Sequence, residues 1–383
     1  MILWEAAKDA PVAARVAVAG DFLPAWKFVA QKPALETRDR WREMAQDLSA
    51  HFEGVAISFV NCECTLDTAG LKPRSLDGLG DIVSAGDSCL DYLAAIRASA
   101  VGIANNHAYD FGIQGGERTR RAIASRGFTP LGAGRSLAAA PEVLVWQGPG
   151  RIRVGFWAAA RATTNPSTRT LAGVEPATLQ RAQQALQAMK EREARFCVAL
   201  LHAGCLRTNY LAPEDALLMD SLARAGFDIV AASHSHRIGG AKSIPTGKNH
   251  PAYCFHGLGS IVSGFVASAL EREGLVVVAG FDANGELVRI ETKPVLLADS
   301  GFGTIPTDAA GHAVMDRFRR LSGQIANGSF ARLFYREISP GLLSLYMRDI
   351  QRAFQEAGVP GLARKARRIR LRHVRRLVRS VLR

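Results

Sequence analysis

The feature that most constrains this chain is a repeated order of short apolar run, polar cluster and amphipathic segment. Runs of strand length lie at 15–20 (RVAVAG), 55–61 (VAISFVN), 101–105 (VGIAN), 196–202 (FCVALLH) and 227–233 (FDIVAAS). Segments with helical spacing fall between and around them, at 38–52, 88–99, 114–127, 176–193 and 213–226. Strands that alternate with helices predict an α/β sheet covered by helices. Paired runs at 142–146 and 152–158, and at 274–281 and 286–292, add hairpins, and 252–259 reads as one more strand. A linker-like break at 299–310 divides the expected organisation into an α/β domain at 1–298, a helical extension at 299–360 and a tail at 361–383. Within the extension, 311–326 and 340–357 read as helices.

The polar clusters sit where the strands are expected to end. Asp21 follows the first run, Asn61 and Glu63 the second, and Asn105, Asn106, His107 and Asp110 the third. His202 closes the fourth, and His234 and His236 follow the fifth. In an open α/β sheet the carboxyl ends of the strands line the ligand crevice, so five strands deliver these groups to one rim. Carboxylate, amide and imidazole donors together suit Mn²⁺, Fe²⁺ or Zn²⁺. A carboxylate such as Glu63 can bridge two cations, and the pair His234-x-His236 can reach both. His107, next to Asn106, would stand behind the ligands as a general acid, oriented by Asp110. Taken one at a time, Asp21 reads as a turn residue and His202 as a core histidine; their common placement at strand ends carries the functional reading.

These residues carry a resemblance. In order, AGDFLPAW, NCECTLD, ANNHAYDFG, LLHAG, SHSHRIGG and HGLGSIV, within residues 15–265, resemble the successive motifs of the CapA family of capsule and poly-γ-glutamate synthesis proteins. That family is itself similar to calcineurin-like metallophosphatases. The resemblance implies a layered β-sandwich with flanking helices, followed here by a helical C-terminal extension. It implies one or two divalent cations (Mn, Fe or Zn) held by Asp21, Glu63, Asn106, His202, His234 and His236. His107 with Asp110 would be the catalytic pair, and Asn61, Asn105 and His256 would lie around the ligands. The chain departs from the pattern at Leu23, where the superfamily places a histidine, and at His202-Ala203-Gly204-Cys205-Leu206, which lacks the family's Trp and Glu. Ser235 replaces the usual Pro, and Gly259-Ser260-Ile261 lacks an amide. The implied function is hydrolase-like chemistry in exopolymer synthesis on a polymer or peptide substrate. Two alternatives stay open: a peptide Cα epimerase on the same site, and a non-catalytic factor of a membrane polymer-synthesis complex.

Charge narrows the partners. The formal net charge is +13, but residues 361–383 hold ten Lys and Arg and no acid, which leaves +3 for the remainder. A near-neutral body argues against specific nucleic-acid binding by it, which would need a basic face of its own. The tail places Leu362, Ala366, Ile369, His373, Leu377 and Val381 at helical spacing among arginines, which leaves two readings open: a solvated helix packed on the body or on a subunit, or a helix lying on an anionic membrane surface. Six scattered cysteines form no CxxC pair, which is expected of buried, reduced thiols. Glu5, Lys8 and Asp9 interrupt any apolar leader, so the expected location is the cytoplasm, with membrane association through the tail.

Overall fold

The computed structural model describes residues 1–7, 10–26, 38–74, 81–161, 166–338 and 358. Strands β1 (Ile2–Glu5), β2 (Ala14–Trp26), β3 (Val55–Cys62), β4 (Thr65–Leu66), β5 (Ser84–Ala85), β6 (Ala98–Gly102), β7 (Thr129–Leu131) and β8 (Ala133–Arg135) come from the first part of the chain. The middle supplies β9 (Leu144–Gln147), β10 (Arg153–Ala160), β11 (Gly173–Val174), β12 (Phe196–His202), β13 (Ile229–Ser233), β14 (Ala241–Ile244) and β15 (Ala252–Phe255). Then follow β16 (Ser260–Gly264), β17 (Glu273–Phe281), β18 (Leu287–Leu297) and β19 (Gly303–Thr304).

Two sheets pack face to face. The first runs β1-β18-β17-β2-β3-β6-β7, with β16 also paired to β2 and β19 to β18. Its strands β2, β3, β6 and β7 are parallel neighbours. The second runs β14-β15-β13-β12-β10-β9, with β15, β13, β12 and β10 parallel and antiparallel strands at both edges. The sheets meet through β6 on β10, β3 on β12 and β2 on β13. Strand parity shows how each sheet divides its side chains. Along β12, Phe196, Val198 and Leu200 join the large core shared by both sheets, while Cys197, Ala199 and Leu201 pack beneath helices α4 (Leu179–Glu191) and α5 (Pro213–Ala225). His202 continues the inward-facing parity. Across the interface Phe59 meets Phe156 edge-on at 5.4 Å and Phe196 meets Phe281 at 5.0 Å, contacts worth about 0.5–1.5 kcal/mol each beyond the area they bury.

Helices α1 (Arg38–Ser49), α2 (Leu90–Ala95) and α3 (Gly112–Ser125) flank the first sheet. Trp41, Ala45 and Leu48 form the buried face of α1. The layered sandwich with flanking helices is thus the architecture observed. Helix α6 (Asp308–Ala326) lies on β14 and β18 and adds Val314, Met315, Phe318 and Leu321 to the main core. The 299–310 break therefore holds β19 and the start of α6. The expected helix at 340–357 and the tail at 361–383 lie outside the described residues.

Several local expectations change; the strand expected at 101–105, for one, is β6 at Ala98–Gly102, and the helix expected at 88–99 ends at Ala95. β2 does not end at Gly20 but continues to Trp26, so Asp21 sits inside a strand, at a register shift against β3. The expected strand 252–259 ends at Phe255 as β15 of the second sheet, and the next strand, β16 of the first sheet, begins only at Ser260. The chain crosses between them at Gly257-Leu258-Gly259, where Gly259 has φ +64° and a Cβ would stand 2.2 Å from the carbonyl oxygen of Glu273. The helix expected from 176 starts at Leu179, because Thr178 caps it by accepting from Arg181 N, and Pro176 bridges to Ala160 instead.

Candidate metal centre

The crossing from β15 to β16 also fixes Asp21. Its N–H donates to Gly259 O at 3.0 Å. Its Oδ1 accepts from Asn61 Nδ2 at 2.7 Å and its Oδ2 from His234 N at 3.0 Å. Glu63 follows β3 and its N–H bonds Phe22 O at 2.9 Å. His202 is the last residue of β12, and His234 and His236 follow β13. Parallel strands from facing sheets thereby bring their carboxyl ends to one place.

Two groups of ligand-type side chains result. Glu63, His202 and His234 present donor atoms all within 4.8 Å of one another, and so do Asp21, Glu63 and His236. Glu63 belongs to both. Its Oε1 lies 3.3 Å from His202 Nε2 and 3.9 Å from His234 Nδ1, and its Oε2 lies 3.8 Å from His236 Nδ1. His236 Nδ1 is also 3.3 Å from Asp21 Oδ2, and Asn106 Oδ1 is 2.6 Å from His202 Nε2. Both oxygens of Glu63 and Nδ1 of His234 are buried without a hydrogen-bond partner among the described residues. Buried polar atoms are nearly always paired, and an unpaired buried carboxylate is costly. A shared cation position on each side of Glu63 would satisfy all three atoms, so the residues fit one or two divalent ions. An all-oxygen and imidazole donor set suits Mn²⁺, Fe²⁺ or Zn²⁺.

The electrostatics follow from the packing. Burial opposes the charge of Glu63, yet the imidazoles of His202 and His236 hold its carboxyl well below the usual range. Burial also opposes charge on His236, but Glu63 and Asp21 raise it to about 9. His234 goes the other way, to about 4, through burial and the neighbouring His202. The backbone carries strain here: His234 has φ +108° and His236 φ +55°. Non-glycine residues in such regions cost about 1–3 kcal/mol each and persist only where surroundings impose them. The bonds from His234 N to Asp21 and from Arg207 N to Ser235 O at 2.9 Å impose them here.

Beside the two groups stands the pair His107 and Asp110. His107 Nδ1 lies 2.7 Å from Asp110 Oδ2, which also accepts from Val83 N at 2.8 Å. Burial works against a charged His107, but the bond to Asp110 and the field of Glu63 raise its pKa above the ordinary value. Asn105 Oδ1 accepts from His107 N at 3.0 Å, and its Nδ2 donates to Cys62 O at 2.8 Å. Asn61 Nδ2 lies 3.3 Å from His202 Nδ1 besides bonding Asp21. His256 makes no hydrogen bond to any of these groups; its ring stands edge-on to Phe330 at 5.7 Å with both nitrogens buried and unpartnered among the described residues. Leu23 is a core residue, so no further ligand stands at that position.

Several neighbours were not legible beforehand. Ser260 Oγ lies 3.2 Å from His236 Nδ1, and Ser233 Oγ lies 3.4 Å from His202 Nδ1. Ser260 occupies the position where the motif lacks its amide, which was the one available signal. The six cysteines form no disulfide: Cys62, Cys64, Cys89, Cys197 and Cys254 are buried and Cys205 is partly exposed.

A family model described as bacterial capsule synthesis protein PGA_cap matches residues 15–264. No curated protein matches the chain. Among solved structures, the chain is similar to an NAD nucleotidase of Haemophilus influenzae, with TM-score 0.44 and 11% identity over 80% of this chain and 56% of that one. It is similar to a 5'-nucleotidase precursor of Thermus thermophilus, with TM-score 0.43 and 14% identity over 80% and 58% of the respective chains. A calcineurin-like phosphoesterase of Bacillus subtilis, YfkN, gives TM-score 0.42 and 12% identity over 82% and 99%. The match thus spans less than two thirds of the two nucleotidases' own length.

Proposed function

The chain belongs to the bacterial capsule synthesis protein family, and from that membership we propose that it is a metal-dependent, hydrolase-like enzyme of exopolymer assembly. Its substrate would be a polymer or peptide of the poly-γ-glutamate type, reacting at a phosphoester or acyl centre. The observation that carries the reading is Glu63, shared by two ligand groups, with both oxygens buried and accepting no hydrogen bond among the described residues. Bound divalent cations supply Lewis acidity and a water whose pKa falls toward about 7. The chain's own residues do the rest. Asp21, Asn106, His202, His234 and His236 hold and orient. Asn61 ties Asp21 to His202, so the two groups keep one geometry. His107, whose protonated form the bond to Asp110 favours, donates a proton to the departing oxygen, and Asp110 keeps Nδ1 occupied so that Nε2 is left for the reaction.

The test is metal analysis of the purified full-length protein combined with a phosphoester screen of wild type and Asn106→Ala. One or two equivalents of metal and measurable turnover are expected in the wild type, with both reduced in the variant. Turnover that survives Asn106→Ala would place the chemistry elsewhere. A second reading, a non-catalytic assembly factor, is favoured by Leu23 standing where the superfamily has a ligand; less than one metal per chain and an unchanged cellular phenotype for His107→Ala would support it. Solvent deuterium appearing at a Cα without bond cleavage would instead support an epimerase.

A further inference from the structure

The two segments that continue from the histidine-bearing strands are tied to each other and to one further part of the chain. Segment 203–212 follows His202, and segment 234–240 holds His234 and His236. Arg207 N donates to Ser235 O at 2.9 Å, and Asn209 Nδ2 donates to Ile238 O at 2.8 Å. These bonds fall on either side of His236, whose backbone, like that of His234, has positive φ. Both segments then meet a region beyond the family match, which ends at 264. Asn209 N donates to Glu337 Oε2 at 2.8 Å, and Tyr210 OH donates to Gln324 Oε1 at 2.8 Å. Ala241 N donates to Ser322 Oγ at 2.9 Å, and a Cβ on Gly240 would stand 2.4 Å from Ser322 N. The histidine segment therefore ends in direct contact with α6. Asn209 is the junction: it is 6% exposed, and its main-chain and side-chain N–H groups join Glu337 to Ile238. Segment 203–212 contains no acid, so the carboxylate that holds its backbone comes from the extension. A carboxylate acceptor makes that bond roughly twice as strong as a neutral one. Glu337 also stands on a fixed base. Residues 330–338 are helical, and Phe334, Tyr335 and Ile338 from this stretch are buried in the main core.

We propose that Glu337 is a positioning residue: through Asn209 it fixes the turn at 234–238, and with it the donor atoms that His234 and His236 present beside Glu63. The proposal rests on the metal-centre reading for what those histidines hold, but not for the linkage of the segments. Full-length wild type, Glu337→Ala, Glu337→Gln, Asn209→Ala and Arg317→Ala are titrated with Co²⁺ against a chelator while the visible absorption of the bound ion is recorded. Hydrogen exchange is followed in the same proteins without metal. Arg317→Ala is the control, because Arg317 pairs α6 with Glu273 instead of with a histidine segment. Removing an outer partner of metal-ligating histidines weakens metal binding about 10–100-fold. Glu337→Ala and Asn209→Ala are therefore expected to lose about tenfold or more in Co²⁺ affinity, to shift the absorption band, and to exchange faster at 234–241. Glu337→Gln keeps an oxygen acceptor and recovers most of the affinity, and Arg317→Ala keeps the wild-type affinity and band. Wild-type affinity and band in Glu337→Ala would overturn the proposal, and so would an equal loss in Arg317→Ala. Should Glu337→Ala not fold, Asn209→Ala decides by the same criterion. The two readings fail separately. A wild type that binds no Co²⁺, with faster exchange at 234–241 in Glu337→Ala, defeats only the metal-centre reading; Co²⁺ bound alike by wild type and every variant defeats only this one.

Discussion

Replacing Gly20 by alanine should damage the candidate centre without touching any group that binds. A Cβ built at Gly20 falls 2.0 Å from the carbonyl oxygen of Gly259 and 3.1 Å from Leu258 Cβ. Real contacts of this kind essentially never fall below 3.0 Å, so backbone must part by about 1 Å at a well-packed crossing of strands. That same oxygen accepts from Asp21 N, and the next residue, Ser260, lies beside both Asp21 in the β2–β16 pairing and His236. Overpacking a tight core costs about 1–3 kcal/mol, and the stretched Asp21 N–H bond adds about 1 kcal/mol. A loss of about 2–4 kcal/mol in urea unfolding of metal-free protein is therefore expected. Displacement of catalytic geometry by about 1 Å can lower turnover about a hundredfold. Metal analysis should show weakened occupancy of the group containing Asp21 and His236, while Glu63, His202 and His234 retain theirs. Gly247→Ala is the control, since no atom lies within 4 Å of the added carbon, and its stability should stay within about 0.5 kcal/mol of wild type. If Gly20→Ala matches that control in stability and in metal content, the coupling argued here between the strand crossing and the centre is wrong.

Other outcomes follow from the same structure. Glu63→Gln should reduce metal content at both groups, whereas His236→Ala should reduce it at one; equal stoichiometry in the two variants would contradict the shared-carboxylate geometry. Asp110→Asn should lower turnover about 10²–10⁴-fold with metal content unchanged, as judged by steady-state kinetics beside metal analysis. Burial depresses His256 to about 4, so the folded state favours its neutral form. Its contribution is complete above the ordinary value of about 6.5 and is lost as pH falls through the folded value, an acid-side loss of about 3 kcal/mol. Urea unfolding of metal-free wild type and His256→Phe between pH 7 and pH 4 would show it as a shallower acid decline in the variant; parallel curves would refute it. Deleting residues 361–383 should abolish sedimentation with anionic vesicles and leave metal content intact, and unchanged sedimentation would remove the membrane role proposed for the tail.

How far the sequence could carry this site is decided by the range of the forces involved. The identity of the ligands was legible because each lies at or near the end of an apolar run, and parity within that run sets its face: His202 keeps step with Phe196, Val198 and Leu200 and so enters the space between the sheets. The helices were legible through their buried faces, as with Trp41, Ala45 and Leu48. What failed were features set by contact between segments far apart in the chain. Gly20-Asp21 looks like a strand terminus, yet β16 arrives from some 240 residues away, as Ser260 pairs with Asp21, and extends the strand past it. Ser260 is an ordinary serine until that pairing sets it beside His236. The left-handed backbone of His234 and His236 leaves no trace in composition, because bonds from Asp21 and Arg207, both remote in sequence, impose it. Arg161 and Arg207 belong with these, as each is placed by a backbone bond to a residue far along the chain, His202 and Ser235 respectively. Local pattern therefore identifies which groups do chemistry, while the pairing of the two sheets decides which surroundings they meet. Variation that redirects substrate choice in this fold is accordingly expected in the loops at 161 and 203–212, where side chains can change without disturbing the parity that delivers the ligands.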